Sequence, residues 1–201
     1  MEKNIKDVWF YWPNLLDYFR LVLVISGFLL DSYYELHVLN ALLYIFSHFL
    51  DLYDGSLARY MNQCSKFGVI LDYSVDIISE MLWFIQLVPL VNSLYIKLLI
   101  VYVIIIDIFG LVFSVYNSAG GRYWKEIKER SIFQKPFIND KGYTRLGYSV
   151  VFWYQVFWGV LYLSYFYEVS NIIIIGLSIP FLLELLSLTM ILHEQLLLFR
   201  E

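Results

Sequence analysis

Residues 51–76 read DLYDGSLARYMNQCSKFGVILDYSVD and place four aspartates within a strongly apolar part of the chain. Asp51 and Asp54 lie three residues apart, and Asp72 and Asp76 lie four residues apart. Side chains at spacings of three and four share one face of an α-helix. The sequence therefore predicts two helices, each carrying an acidic pair near the end that leads into a short connecting loop.

The composition predicts a membrane protein. Of the 201 residues, 60% are hydrophobic, 20% are aromatic and 16% are charged. A soluble domain has about 45–50% apolar and about 25% charged residues, so a soluble chain of this kind would expose too much apolar surface. Intrinsic disorder is excluded because it requires low hydrophobicity and high net charge. The net charge of −4 does not indicate nucleic-acid binding.

A membrane-spanning helix needs about 20 apolar residues, and the apolar stretches predict six such helices. Their approximate bounds are Asn14–Leu30, Leu36–Arg59, Gly68–Leu90, Leu94–Val115, Arg145–Tyr167 and Ile172–Leu198. The aromatic segment Met1–Trp12 predicts an interfacial segment at the headgroup level. The predicted fold class is an all-α membrane protein, a six-transmembrane-helix bundle with an N-terminal interfacial segment. We expect one membrane domain over residues 1–201.

Lysines and arginines set the expected orientation, because cytosolic loops carry an excess of both. With six spans, the two termini and the loops after the second and fourth helices share one side. That side holds the following basic residues: Lys3, Lys6, Arg59, Lys66, Arg122, Lys125, Lys128, Arg130, Lys135, Lys141, Arg145 and Arg200. The opposite side has Asp31, Glu35 and Glu168, with Lys97 near it. We therefore predict that the termini and the acidic pairs face the cytosol.

The two acidic pairs predict a metal site. The short connection makes their helices antiparallel neighbours, so the pairs would face each other at one depth. Four carboxylates that close repel one another, and in sequence only Arg59 and Lys66 lie near them. A site made of carboxylates alone suits the hard cations Mg²⁺, Mn²⁺ and Ca²⁺. The pattern thus predicts one or two divalent cations, whereas the alternative is an acidic helix end that meets water.

Small residues and an arginine accompany the aspartates. Gly55, Ala58 and Gly68 lie beside an aspartate or one turn from it. They would clear space for a bulky ligand, or they would allow close packing of helices. Arg59 adds a positive group suited to phosphate. Metal ions, an arginine and small residues that leave space for a ligand together predict a site for a diphosphate group. A carboxylate that is not occupied by metal could accept a proton there.

Several other polar residues leave two interpretations open. Asp17 and Arg20 fit an internal ion pair, or Arg20 lines a polar cavity. Asp107 and Glu184 fit contacts to the hydroxyl groups of a polyol, or structural pairing with each other or with Ser and Tyr groups. Arg145 belongs to the basic cytosolic segment and needs no further role, or it binds a phosphate. The histidines show no metal-ligand spacing and are interpreted as helix-end residues: His37, His48 and His193.

The run D-x2-D-G-x2-A-R-x8-G-x3-D-x3-D over residues 51–76 resembles the CDP-alcohol phosphotransferase signature at all eight specified positions. The resemblance implies a six-helix bundle, a homodimer, and transfer of a phosphatidyl group from a CDP-linked lipid to an alcohol with release of CMP. It implies two ions, Mg²⁺ or Mn²⁺, and a catalytic Asp76 that accepts the proton. The implied metal ligands are Asp51, Asp54, Asp72 and Asp76.

The resemblance also implies contacts to the substrates. Implied contacts to the CDP-lipid are Asn14, Gly55, Ala58, Arg59, Ser65 and Gly68. Residues 58–68 are similar to the eukaryotic phosphatidylinositol synthases, which carry A-R-x2-N-Q, a Ser or Thr, a basic residue and F-G. This similarity implies CDP-diacylglycerol as donor, myo-inositol as acceptor and residence in the endoplasmic reticulum membrane. Arg145 and Asp107 are the expected acceptor contacts.

Departures from the family pattern bear on the acceptor. Ile77 and Val151 stand where the family has arginines, and Leu161 stands where it has an Asn. The first alternative is therefore the same chemistry with glycerol 3-phosphate, serine or another alcohol. A divalent-cation transporter is a second alternative, disfavoured because an ion path does not require the glycines, alanine and arginine of the signature. A catalytically silent scaffold is a third, disfavoured because every signature residue is retained.

Overall fold

The structure is a computed structural model that describes residues 8–119, 135–139 and 142–199. Six α-helices occur within these residues: α1 (Trp12–Tyr34), α2 (His37–Tyr60), α3 (Lys66–Leu87), α4 (Leu94–Ala119), α5 (Arg145–Leu163) and α6 (Asn171–Phe199). Two short strands, β1 (Ile138–Asn139) and β2 (Gly142–Tyr143), pair antiparallel before α5. A helix occurs in each of the six predicted stretches, with ends that differ from the prediction by at most four residues. Six membrane spans are not confirmed, because three of the described helices qualify as candidate spans.

Three of the helices are long and apolar enough to cross a membrane. The candidate spans are Leu94–Phe113 in α4, Arg145–Leu163 in α5 and Asn171–His193 in α6. Only 17% of the apolar window of α4, and the same share of that of α6, is buried inside the protein. Apolar side chains that face outward over a whole helix indicate contact with lipid. These helices indicate a membrane protein, and α1, α2 and α3 are not among the candidate spans.

Aromatic side chains fill the core between α2, α3, α5 and α6. The rings of Tyr44 and Trp83 stack with centroids 4.1 Å apart. Trp158 packs edge-on against Phe181 at 5.3 Å. Trp83 and Trp158 are almost fully buried, and large rings bury much apolar area in favourable edge and offset geometries. The high aromatic content of the sequence thus serves the packing of the bundle.

The first helix packs against both helices that carry the acidic pairs. Its contacts with α2 and with α3 are each more extensive than the contacts of α2 with α3. Gly27 lets α1 approach α2 closely, because a Cβ there would lie 2.8 Å from Oδ1 of Asn40. The expectation that α2 and α3 pack directly as neighbours holds for only a few residues, since α1 lies against both.

Many of the basic residues on which the predicted membrane orientation depends lie outside the described residues. The basic residues concerned are Lys3, Lys6, Arg122, Lys125, Lys128, Arg130, Lys141 and Arg200. Residues 1–7 of the predicted interfacial segment are outside them as well. The side of the membrane on which the loops lie therefore stays a prediction.

Candidate functional site

The two acidic pairs converge on a cavity of about 200 Å³ between the helices. A carboxylate oxygen from each of Asp51, Asp72 and Asp76 lies within 4.8 Å of the other two. The same holds for Asp17, Asp54 and Asp72. We call these five side chains the carboxylate cluster. The helical spacing of the pairs predicted that the four signature aspartates meet, whereas Asp17 is an addition from α1.

Arg20 of α1 lies within the carboxylate cluster. Its Nη1 atom is 2.7 Å from Oδ1 of Asp51 and 3.1 Å from Oδ1 of Asp72. The same nitrogen lies 3.9 Å from Oδ2 of Asp54, and Nη2 donates a hydrogen bond to Asp76. One guanidinium therefore reaches all four aspartates of the signature, a bridging role that its planar array of donors suits.

The backbone and Asp17 hold this guanidinium in place. Arg20 Nη1 donates to Asp17 Oδ1 at 3.0 Å, and Nε donates to the carbonyl oxygen of Ser47 at 3.2 Å. Arg20 therefore forms the ion pair with Asp17. It contacts the aspartates that line the cavity but is not itself among the described lining residues. The expectation that only Arg59 and Lys66 lie near the aspartates is wrong, because proximity along the sequence ignores the helix that packs alongside.

The charge of the carboxylate cluster leaves room for metal ions. Five carboxylates carry a formal charge of −5 and Arg20 carries +1, which leaves −4. Two divalent cations would carry the balancing +4. All the remaining donors are carboxylate oxygens, the ligands that hard divalent ions prefer. The residues present thus fit the predicted metal site, and Arg20 alone does not neutralise it.

The cavity continues past the carboxylate cluster to a second set of polar side chains. We call them the inner polar group: Glu80 from α3, Asp107 from α4, Tyr154 and Gln155 from α5, and Glu184 from α6. Gln155 is oriented by two hydrogen bonds, because its Nε2 donates to Glu80 at 3.3 Å and its Oε1 accepts from Tyr44 at 2.6 Å. Four helices thus converge on the inner end of the cavity.

The sequence did not single out Tyr154 or Gln155, and it also missed the roles of two cavity residues for which spacing carries a signal. Glu80 follows Asp76 by four residues, as Asp76 follows Asp72, so all three share one face of α3. His48 precedes Asp51 by three residues and lines the same cavity. The interpretation of His48 as a helix-end residue is wrong, because it is buried in the interior of α2.

The residues expected to contact the CDP-lipid fall into two groups. Gly55 and Arg59 line the cavity, and Arg59 is exposed. A Cβ on Gly55 would lie 3.4 Å from Nη1 of Arg59, an ordinary van der Waals contact, so Gly55 lies directly beside this guanidinium. Ala58 is half-buried on the same helix and lies outside the described residues that line the cavity.

The second group joins the start of α1 to the start of α3. Ser65 caps α3, because its Oγ accepts from the backbone N–H of Gly68 at 2.9 Å. A Cβ on Gly68 would lie 2.8 Å from Oδ1 of the buried Asn14. Asn14 Nδ2 in turn donates to the carbonyl oxygen of Val8 at 2.6 Å. The absence of a side chain at Gly68 therefore allows close packing of α1 against α3, and a contact of Gly68 with the CDP-lipid stays a prediction.

The loop between α2 and α3 is fastened to the same place. Gln63 Oε1 accepts from the backbone N–H of Trp12 at 2.9 Å. Asn62 has a φ of 53°, a left-handed conformation that asparagine tolerates better than most residues. The rings of Trp9 and Phe67 lie 4.4 Å apart. These contacts give the Asn-Gln and Phe-Gly elements of the sequence a structural role.

The two expected acceptor contacts are not brought together. Asp107 lines the cavity, whereas Arg145 is exposed at the first turn of α5 and is outside the described lining residues. Ile77 and Val151, which stand at positions where arginines were expected, both line the cavity. Leu161 is buried in the aromatic core. The inner part of the cavity is therefore less basic than the family pattern implies.

The comparisons with known proteins agree with the signature. The family model for CDP-alcohol phosphatidyltransferase matches residues 10–183. A Candida albicans protein named CDP-diacylglycerol–inositol 3-phosphatidyltransferase is 37% identical over 73 residues, which cover 36% of this chain and 31% of the relative. Proteins of that name from Schizosaccharomyces pombe and Homo sapiens are each 33% identical, over 37% and 41% of this chain and 31% and 38% of the relatives. The chain thus matches about a third of the relatives' length. No solved structure matches the chain.

Proposed function

The chain belongs to the CDP-alcohol phosphatidyltransferase family, and on that premise we propose that it transfers a phosphatidyl group from CDP-diacylglycerol to myo-inositol. The products are phosphatidylinositol and CMP. The observation that carries the proposal is the carboxylate cluster, in which all four signature aspartates meet at one cavity. The relatives that bear the name of an inositol transferase support the choice of acceptor.

The carboxylate cluster is the proposed metal site. Its ligands are Asp51, Asp54, Asp72 and Asp76, and the remaining charge of −4 fits two ions of Mg²⁺ or Mn²⁺. Such ions, when bound, polarise the diphosphate and offset charge on the leaving group. Arg20 keeps the four carboxylates within reach of one another through the contacts of its two Nη atoms. It acts as a positioning residue.

Asp76 is the proposed proton acceptor. It lies on α3 between Asp72 and Glu80, where the carboxylate cluster meets the inner polar group. As the acceptor hydroxyl oxygen bonds to the lipid-side phosphorus, its proton passes to the Asp76 carboxylate and the bond from phosphorus to the CMP oxygen breaks. The hydrogen bond from Arg20 Nη2 fixes the direction in which this carboxylate points.

The CDP-lipid is proposed to enter along the side of the cavity that Gly55 and Arg59 line. The exposed Arg59 guanidinium suits phosphate oxygens. The other expected donor contacts are proposed to support this wall rather than line it: Asn14, Ala58, Ser65 and Gly68. Three of them fasten the start of α1 to the start of α3.

We propose that all six helices span the membrane as an integral bundle in the endoplasmic reticulum, with the cavity open to the cytosol. Arg59 and Lys66 support this orientation, because both lie at the end of the bundle that carries the carboxylate cluster. The chain is proposed to act as a homodimer, as its family resemblance implies.

The test is CMP release by the purified full-length chain in mixed micelles that contain CDP-diacylglycerol and Mn²⁺. We expect release that depends on myo-inositol and is absent with serine or glycerol 3-phosphate. Release with serine or glycerol 3-phosphate in place of inositol would replace the acceptor and keep the chemistry. A folded sample that released no CMP with any of these alcohols would refute the proposed reaction.

A further inference from the structure

We propose that the inner polar group is the acceptor pocket and that it selects an uncharged polyol over a phosphorylated acceptor. The proposal rests on the proposed function, since it describes the acceptor of that reaction. It assigns binding roles to Glu80, Tyr154, Gln155 and Glu184 in addition to Asp107, and none of these four belongs to the family signature.

Unsatisfied polar atoms point to a ligand at this end of the cavity. Within the described residues, Glu80 Oε2, Asp107 Oδ2 and Tyr154 Oη are buried and make no hydrogen bond of standard geometry, although Glu80 and Asp107 face each other and Trp158 adjoins Tyr154. Glu80 is 7% exposed and Tyr154 is 2% exposed, and both line the cavity. Buried polar groups in folded proteins are nearly always hydrogen-bonded. A ligand that carries several hydroxyl groups would supply the missing partners.

The inner end of the pocket disfavours an anionic acceptor, because the described residues there offer carboxyl groups and no basic partner. Glu80, Asp107 and Glu184 bring three carboxyl groups to the inner end, and Glu80 interacts electrostatically with each of the other two. Among the lining residues that the structure describes, Arg59 is the one with a permanent positive charge, and it lies beside Gly55. A phosphate group on the acceptor would meet carboxyl groups without a basic partner, which costs free energy in a buried site.

A polyol fits the donors and acceptors that are present. The Gln155 amide is fixed by Tyr44 and Glu80, so its orientation is set before a ligand arrives. The carboxyl groups accept hydrogen bonds from hydroxyls, and the Tyr154 hydroxyl can donate to one. Apolar side chains such as Ile77 and Val151 complete the wall and can pack against ring carbons. Asp76 adjoins the pocket, so a hydroxyl bound here would lie beside the proposed proton acceptor.

The test compares three variants from different helices with matched controls. The variants are Glu80→Gln, Tyr154→Phe and Glu184→Gln, and the controls are the exposed Glu168→Gln and Tyr167→Phe. In the CMP-release assay we expect each pocket variant to raise the KM for myo-inositol about tenfold or more. The KM for CDP-diacylglycerol and the Mn²⁺ requirement should stay at wild-type values, and the controls should match wild type throughout.

Selectivity provides the second readout. We expect the wild-type chain to release CMP with myo-inositol and to show no release above the blank with inositol 1-phosphate. Equal or better use of inositol 1-phosphate would overturn the proposal, as would a wild-type KM for myo-inositol in all three pocket variants that melt at the wild-type temperature. Mn²⁺ uptake into proteoliposomes is a further measurement. The proposal would also be overturned if Glu184→Gln abolished this uptake and left the KM for inositol unchanged.

Direct binding separates the failure of this proposal from the failure of the proposed function. Tritiated myo-inositol is bound to the purified full-length chain with Mn²⁺ and CMP, conditions in which no transfer takes place. Wild-type binding that Glu184→Gln weakens about tenfold supports the pocket, even if no CMP is released from the lipid. Active transfer combined with unchanged inositol binding in Glu80→Gln, Tyr154→Phe and Glu184→Gln would refute the pocket and leave the reaction standing.

Discussion

At the scale of single residues, Arg20 has the largest number of charged partners in the described part of the chain. It is fully buried and contacts the four signature aspartates together with Asp17. A buried charge that loses its partner is strongly destabilising. Arg20 therefore has to be considered in both the folding and the chemistry of the site.

Replacing Arg20 should test this dual role. We expect Arg20→Gln to lower the melting temperature in EDTA, since removal of one member of a buried charge pair costs about 3–5 kcal/mol of stability. It should also reduce CMP release by about a hundredfold, because the four aspartates lose the group that positions them. Added Mn²⁺ should raise the melting temperature of Arg20→Gln more than that of wild type, because the carboxylates then carry −5. A melting temperature in EDTA equal to that of wild type would contradict the account.

Asp76 allows a sharper chemical test. We expect Asp76→Asn to lower kcat by about 10²–10⁴-fold, the usual contribution of general base catalysis, with the KM for CDP-diacylglycerol changed far less. Glu168→Gln, an exposed acid on the surface, is the matched control. Full activity in Asp76→Asn would remove the proton-acceptor role from this residue.

At the scale of elements, the junction between α1 and α3 depends on the absence of a side chain at Gly68. We expect Gly68→Ala to destabilise the chain by about 1–3 kcal/mol through overpacking, since its Cβ would lie 2.8 Å from Asn14 Oδ1. Gly176→Ala in α6 is the matched control, because nothing lies within 4 Å of a Cβ at that position. Thermal unfolding measures the stability of both variants. Equal melting temperatures would show that the junction between α1 and α3 has room for the added methyl group.

The opposite end of the helices is joined by a network around Asp31 of α1. This buried carboxylate accepts from Asn40 at 3.2 Å and from Gln86 at 3.0 Å, and also from Tyr162. His37 Nδ1 lies 2.6 Å from its Oδ1. The network links α1, α2, α3 and α5 away from the cavity, since Asp31 is outside the described lining residues.

This separation gives a prediction for stability without a change in chemistry. We expect Asp31→Ala to lower the free energy of unfolding by about 2–4 kcal/mol, because it leaves several buried donors without an acceptor. The KM values for CDP-diacylglycerol and myo-inositol should stay at wild-type levels. Thermal unfolding and CMP release at a permissive temperature measure the two effects, with Glu168→Ala as control. Loss of substrate affinity at unchanged stability would show that the network belongs to the site.

The sequence predicts the helices and the convergence of the acidic pairs. It predicts less well which side chains of other helices contact these aspartates. Long apolar stretches define helix bounds, and spacings of three and four residues define a helix face. The spacing of Asp17 and Arg20 predicts that these two residues pair with each other. It does not predict that α1 brings Arg20 to Asp51 or Asp76. Contacts between helices depend on tertiary packing, for which spacing within one helix carries no information.

At the scale of the whole molecule, the cavity divides the bundle into two parts. Helices α1–α3 supply the carboxylate cluster, and α3–α6 supply the inner polar group. The outward apolar surfaces of α4 and α6 indicate where lipid surrounds the protein. This division accounts for why the four acids of the signature are recognisable in the sequence, whereas the acids of the inner group are spread over three helices and have no common spacing.

The proposed reaction is the transfer of a phosphatidyl group to inositol at the carboxylate cluster, with divalent metal ions. The most direct measurement is the incorporation of tritiated myo-inositol into lipid by the purified full-length chain supplied with CDP-diacylglycerol and Mn²⁺. We predict labelled phosphatidylinositol and CMP in equal amounts, both abolished by EDTA and restored by excess Mn²⁺. Labelled lipid formed equally well in EDTA, or the absence of labelled lipid from a folded sample with Mn²⁺, would contradict the account.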